Sequence, residues 1–474
     1  MKMRYKIKLL FILGLAFANC RSNDISDGAK DEFSALSQKI DSIAFKFLSQ
    51  DKTVGFSIAI LKNKDTLYNR GFGYTDTLRS RETTPGTIFN LASISKLLGS
   101  IMVMKLVEEG KLSLDQTLAE LLPDFLNTDQ AKKIKLRHLI SMTSGLKEYA
   151  PEMDSVYRTT GKPPTLTDLL AFFSRQRLDF EPGQFYKYSN SGFVLLPAIL
   201  ERATNISFED LIDSILNKPT GLHIKLLSDS QFDPNTSQHF EIQNGKLAFR
   251  PFWSWIRGDG GLSASAIELA QIPFLLRDGT IINEASFQQM IAPTKLKDNL
   301  LSGYGLGVKN GNFEGSKFWG HSGADKSFWS MMFFFPERDL TIVTLVNTNN
   351  TPYDAKELFS QVALVTLNKE IPNYKASEKE EVDRQAYIGK YLRPGDAVDR
   401  TMRIVWSEAD EHLYYTYDGK VGNGQKMYYL GNDEFWIERW PTDRVKFARN
   451  SNNEVIALKE YYTGYFSQMR MKVK

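Results

Sequence analysis

Apolar residues first recur at helical spacing between Asp31 and Gln50, where Phe33, Leu36, Ile40, Ile43 and Phe47 fall on one face and predict an amphipathic helix. The period then shortens. Val54–Lys62 and Thr66–Gly73 are strand-like runs separated by Asn63-Lys64-Asp65, which reads as a hairpin. Leu91–Glu109 is apolar on nearly every face and stops at Gly110, as expected of a buried central helix. From Lys111 to about Pro251 the spacing is helical, with long loops. Strand-like runs return at Tyr304–Val308, Trp329–Phe335 and Thr341–Asn347. Two strands before a helical insertion and three after it predict a single sheet assembled from both ends of a domain.

The pattern changes again past residue 368. Residues 369–385 are polar, with Pro372–Gln385 charge-dense around Glu378-Lys379-Glu380-Glu381, and read as a linker. Residues 386–474 then carry short strand-like runs, among them Tyr387–Leu392, Met402–Trp406, His412–Tyr417, Lys426–Leu430 and Phe435–Trp440. Gly, Asn and Asp turns separate these runs, so the segment is expected to be a small antiparallel β-module. Its tyrosines (Tyr414, Tyr415, Tyr417, Tyr428, Tyr429) are expected in the core and rim of that module.

Composition narrows the chemistry. With 42% hydrophobic and 24% charged residues in 474, the chain can bury several cores, and disordered, collagenous and coiled-coil classes are excluded. One cysteine makes neither an intramolecular disulfide nor a thiolate zinc cluster. The five histidines show no HxH or HExxH spacing, so no metal and no cofactor is expected. A net charge of +3 is not the footprint of a nucleic-acid binder.

Even that charge is local. Lys2, Arg4, Lys6 and Lys8 precede the apolar run Leu9–Ala18, too short to span a bilayer permanently and patterned like a secretory signal. Without those four, 55 of the 59 basic residues remain against 56 acidic ones, so the rest of the chain is close to neutral. The lone cysteine, Cys20, lies where such a signal would be cut. Residues 1–20 resemble a bacterial lipoprotein signal, although Asn19 stands where Gly, Ala or Ser is usual. That resemblance implies a lipidated Cys20, an exported and membrane-anchored protein, and a tether over Arg21–Lys30. Plain cleavage and an uncleaved anchor, with Cys20 a bystander in either, are the alternatives.

Ser-x-x-Lys occurs at Ser49/Lys52, Ser93/Lys96 and Ser144/Lys147. Ser49 and Lys52 fall at a helix-to-strand junction, and Gly145 interrupts the third pair. Only Ser93 and Lys96 open a long apolar helix, with both side chains on one face. Free amides and the helix dipole at that end favour an anion, so Ser93 can attack and its own N–H can serve an oxyanion. A lysine in apolar surroundings near that positive end is expected to act as a base. Tyr188-Ser189-Asn190 follows Glu181-Pro182-Gly183: a tyrosine beside a lysine can shuttle protons, and an asparagine offers both a donor and an acceptor. Gly320-His321-Ser322-Gly323-Ala324 leads into the aromatic run Trp329–Phe335. Glycines at a strand entrance permit close backbone approach to a ligand.

In this order and context the three motifs resemble the serine β-lactamase and penicillin-binding-protein superfamily over about residues 30 to 368. Tyr-x-Asn points to its class C β-lactamase-like branch of peptidases and esterases. The flanking runs Ile134–Ile140, Thr143-Ser144-Gly145-Leu146, Gly260–Ser265 and Tyr304-Gly305-Leu306-Gly307 agree. The resemblance implies an α/β (α+β) β-lactamase-like fold, with an antiparallel five-stranded sheet flanked by helices plus a helical subdomain. It also implies Ser93 as the acylated nucleophile, Lys96 and Tyr188 as the proton-transfer pair, and Asn190 as a contact to lysine and to a substrate amide. His321, Ser322, Gly323 and Ala324 would line the substrate, with the amides of Ser93 and Ala324 as oxyanion hole. Residues 386–474 resemble the small lipocalin-like barrels appended to many such hydrolases.

Two departures bear on function. Met142 stands where relatives often carry His. His321 replaces the lysine of true class C β-lactamases, removing a fixed cation that helps hold a β-lactam carboxylate. The expected function is therefore an exported serine hydrolase acting on a small-molecule or short-peptide substrate such as a D-amino-acid peptide, amide or ester. A true β-lactamase and a non-catalytic envelope scaffold are the alternatives. The intact set Ser93, Lys96, Tyr188 and Asn190 disfavours the scaffold, and an α/β-hydrolase is disfavoured because no Gly-x-Ser-x-Gly occurs.

Overall fold

The computed structural model describes residues 27–473 except 50–52, 77, 228–234, 244–245, 250–256, 298, 326, 350–351, 371–382, 397–400 and 439–442. The expected signal segment with Cys20, Lys52 and most of the expected linker therefore lie outside the described residues. Among the described residues no helix is long and apolar enough to cross a membrane.

Six antiparallel strands form the central sheet, in the order Lys309–Phe313, Ser316–Ala324, Trp329–Phe335, Leu340–Val346, Gly55–Lys62, Asp65–Gly73. The hairpin at its far edge turns on Asn63 and Lys64, both at positive φ, the backbone of a tight two-residue hairpin turn. Both faces of the sheet are covered, so the central strands are buried throughout and their alternation sorts side chains between two cores. Phe56, Ile58, Met331 and Phe333 point to one side, where they meet Ile40 and Phe47 of helix Asp27–Leu48 and Phe359 of helix Pro352–Leu367. Ala59, Leu61, Met332 and Phe334 point to the other side, into the core shared with the helical insertion. At about 25 cal/mol per Å² of apolar area removed from water, these two layers are the main stabilising term.

The sheet departs from the sequence expectation at its near edge. Tyr304–Val308 is a loop, and the strand begins at Lys309. A further strand, Ser316–Ala324, carries the His321 motif and pairs with Trp329–Phe335 in the register His321↔Met332. The pairing of Lys309–Phe313 with it stops at Gly320, so, among the described residues, 321–324 have no strand neighbour on that side.

Past the linker, eight strands from Gly389–Leu392 to Tyr465–Val473 run in sequence order, and the first pairs back onto the last to close a barrel. Three of them, Arg444–Arg449, Val455–Tyr462 and Tyr465–Val473, were not among the runs singled out above. Tyr415 lies in the barrel core with Tyr391 and Phe447, whereas Tyr417 is exposed. The barrel is joined to the central sheet through Tyr465↔Gly311.

Candidate active site

Helix Ser95–Glu108 is buried on almost all sides, as its apolar sequence requires, and it enters through a 3₁₀ turn over Ala92–Ile94. Ala92 sits at φ +45°, an uncommon conformation for a residue with a Cβ. The Asn90 side chain holds it there, accepting the Ala92 N–H at 2.6 Å. This strained turn presents Ser93 at the helix N-terminus. Lys96, one turn on, is fully buried, and its Nζ lies 2.9 Å from Ser93 Oγ and 2.6 Å from the Asp259 carbonyl oxygen. The rings of Tyr188 and Phe193 flank the amine at 5.5 and 5.8 Å.

The Tyr188 loop is fastened from below. The Met142 sulfur accepts the Ser189 N–H at 3.4 Å, so this residue has a packing role where relatives often carry His. Glu148 accepts from the Asn190 N–H at 2.8 Å, from Asn190 Nδ2 at 3.2 Å and from Ser189 Oγ at 3.1 Å. The side-chain amide of Asn190 thus donates to Glu148 rather than contacting Lys96. A buried acid, Asp259, accepts the Tyr149 hydroxyl at 2.8 Å. Burial pushes its carboxyl up to about 6, against the attraction of Lys96.

The third wall is the strand Ser316–Ala324. A Cβ on Gly323 would lie 2.3 Å from the Leu91 carbonyl oxygen and 2.8 Å from the Ser93 amide nitrogen, so only glycine lets this strand press against the nucleophile turn. Ser330 Oγ, across the sheet, donates to the same Leu91 carbonyl at 2.6 Å. His321 is fully buried. Its Nδ1 is 2.6 Å from the Ser322 carbonyl oxygen, which only accepts, so Nδ1 carries the proton and Nε2 accepts from the Tyr304 hydroxyl at 3.0 Å. Burial, with Lys309 and Lys96 nearby, holds this imidazole well below its ordinary pKa, so it is neutral and both its nitrogens are occupied. Ser322 alternates to the opposite face, toward Lys309, and Ala324 closes the strand opposite Trp329.

The structure thus brings Ser93, Lys96, Tyr188, Gly323 and the His321 ring together, with Asn190 held beside them by Glu148. Of the other two Ser-x-x-Lys matches, Ser144/Lys147 is structural, and Lys52 of the remaining one lies outside the described residues. Ser144 Oγ accepts the Leu146 N–H and Lys147 pairs with Asp179, while Ser49 Oγ donates to the Lys46 carbonyl. Glu148, Asp259 and Lys309 have no motif to mark them, and the sequence analysis missed all three.

A serine and a lysine one helical turn apart, with a tyrosine over the amine and a glycine strand against the serine turn, define a serine hydrolase of the β-lactamase and penicillin-binding-protein type. The chain belongs to the Beta-lactamase family, whose description matches residues 40–367. It is 24% identical over 397 residues to Penicillin-binding protein 4* of Bacillus subtilis (strain 168), covering 80% of this chain and 87% of that protein. Protein flp of Staphylococcus aureus (strain MRSA252) is 29% identical over 66% of this chain, which spans 63% of flp. Among solved structures, the D-amino acid amidase from Ochrobactrum anthropi SV3 in complex with L-phenylalanine amide is similar in fold. Its TM-score is 0.61 at 21% identity, over 70% of this chain and 99% of that one.

Proposed function

We propose that the protein hydrolyses amide or ester bonds of small substrates, D-amino-acid peptides among them, through an acyl-enzyme on Ser93. The observation that carries this reading is the 2.9 Å contact between Lys96 Nζ and Ser93 Oγ beneath the Tyr188 ring. Ser93 Oγ bonds to the substrate carbonyl carbon while its proton passes to Lys96. The amides of Ser93 and Ala324 receive the developing oxyanion. The leaving amine or alcohol departs with a proton delivered through Tyr188, and water, giving its proton to the same pair, releases the acid and restores Ser93. The D-amino acid choice is supported by the likeness to the Ochrobactrum amidase. The neutral His321 favours peptidase, amidase or esterase action over β-lactam turnover.

The test is a panel of D- and L-aminoacyl amides, D-Ala-D-Ala peptides, p-nitrophenyl esters and nitrocefin. The expected result is turnover of D-amides, D-peptides or esters exceeding that of nitrocefin by about 100-fold in kcat/KM, roughly 3 kcal/mol of discrimination. Dominant nitrocefin turnover would overturn the substrate assignment.

We further propose that the chain is exported and held at the membrane by lipid on Cys20. The support is the basic-then-apolar pattern of residues 1–19 ending at that cysteine. A clickable fatty-acid analogue is expected to label the cell-expressed protein and to leave Cys20→Ser unlabelled; equal labelling of the two refutes the anchor.

A further inference from the structure

The barrel pairs with the central sheet at Tyr465↔Gly311, and beside that pairing lies a cleft of about 690 Å³, a volume typical of small-molecule sites. One wall is the edge of the sheet, with Gly311, Asn312 and Lys317. The other is the barrel, with Arg444, Lys446, Lys459 and Tyr461. Ser93, Lys96 and Tyr188 do not line it, so it is a different place from the acylation site.

Charge in this cleft is not balanced. Four basic side chains line it against two acidic ones, Glu314 and Glu434. Lys446 and Lys459 stand directly opposite each other on neighbouring barrel strands, where like charges repel. Glu434, opposite Lys446 on its other side, approaches that amine at 3.7 Å, and Glu314 takes Arg444 at 2.6 Å across the join. Both carboxylates are thereby engaged. Lys459 Nζ donates to the Leu301 carbonyl at 2.6 Å, and Lys317 is exposed on the facing wall. Among the described residues no carboxylate pairs with either lysine. Burial, with the Lys446 amine beside it, holds the Lys459 amine below its ordinary pKa.

The cleft also offers apolar surface. Leu301 is half-exposed there, next to the partly buried Tyr461 ring. We propose that this cleft binds a small organic anion, with a phosphate or carboxylate head held by Lys459 and Lys317 and an apolar body against Tyr461 and Leu301. The head supplies the counter-charge that the Lys446–Lys459 pair lacks. Lys317 belongs to the sheet and Lys459 to the barrel, so the ligand bridges the two and fastens one to the other. The proposal stands independently of the acyl-enzyme reading, because none of its residues takes part in that chemistry.

The experiment titrates the full-length protein with 2-naphthyl phosphate, 2-naphthoate and the uncharged 2-naphthol, following heat of binding and melting temperature. At least one of the two anions is expected to bind saturably with a dissociation constant below about 1 mM, and 2-naphthol about tenfold or more weakly. Whichever anion binds more tightly identifies the head group. The bound anion should also raise the melting temperature, since it binds only the assembled cleft. Lys459→Met should weaken binding by about tenfold, and Lys459→Arg should keep most of it. Lys317→Met changes an exposed side chain, so the fold is preserved, and it should weaken binding several-fold. Absence of saturable binding, equal binding of 2-naphthol, or unchanged affinity in Lys317→Met or in folded Lys459→Met overturns the proposal. If Lys459→Met does not fold, the Lys317→Met result decides.

Discussion

Ser93→Ala is expected to abolish covalent labelling by fluorophosphonate or fluorescent penicillin and to lower kcat/KM by about 10⁴-fold or more on any substrate the wild type turns over. The fold should survive, because the hydroxyl contributes only one of the two hydrogen bonds that hold Lys96. The other, to the Asp259 carbonyl at 2.6 Å, is untouched, and the amine stays between the Tyr188 and Phe193 rings. A melting temperature within a few degrees of wild type is therefore predicted, corresponding to about 1 kcal/mol. Gel fluorescence and thermal denaturation together decide the matter. Labelling that persists in a folded Ser93→Ala protein would mean that another nucleophile is at work.

The second large effect concerns a residue with no side chain. Gly323→Val would place a Cβ 2.3 Å from the Leu91 carbonyl oxygen and 2.8 Å from the Ser93 amide, both backbone atoms that cannot rotate away. Either the strand Ser316–Ala324 or the nucleophile turn must retreat. Retreat of the strand loosens its pairing with Trp329–Phe335, and retreat of the turn moves the Ser93 amide off any developing oxyanion. Loss of one such donor costs roughly 10²–10³ in kcat, and the overpacking costs about 1–3 kcal/mol of stability. Gly86→Ala is the matched control, since a Cβ there meets nothing within 4 Å. Steady-state kinetics and melting curves of both variants check the prediction, and wild-type activity in a folded Gly323→Val protein would remove this strand from the reaction.

The parts of this architecture that were legible in the sequence are those that local pattern determines. Ser93 and Lys96 stood out because a three-residue spacing has one meaning on a helix, and the apolar run after them could only be helix. The strand Ser316–Ala324 was missed because its sequence, SKFWGHSGA, mixes two aromatics with two glycines and two serines; its strandedness comes from the neighbours on which it packs. Tyr304–Val308 looked like a strand, but Gly307 takes φ +76° and delays the pairing to Lys309. The late barrel strands hide for a different reason. Glu460 and Arg470 point inward as a buried pair 3.3 Å apart, so charge falls where the alternation should be apolar. Glu148, Asp259 and Lys309 act through contacts between distant segments, which spacing along the chain does not encode.

The join between the barrel and the hydrolase sets an order of events. Tyr465 lies against Lys309, Phe466 packs on Tyr186 two residues before Tyr188, and Asp396 pairs with Lys187 at 3.2 Å. The walls around Tyr188 are therefore built partly from the last strand of the barrel, Tyr465–Val473. During synthesis the central sheet is made before the strand Tyr465–Val473, so the walls around Tyr188 are completed only once the barrel has been made.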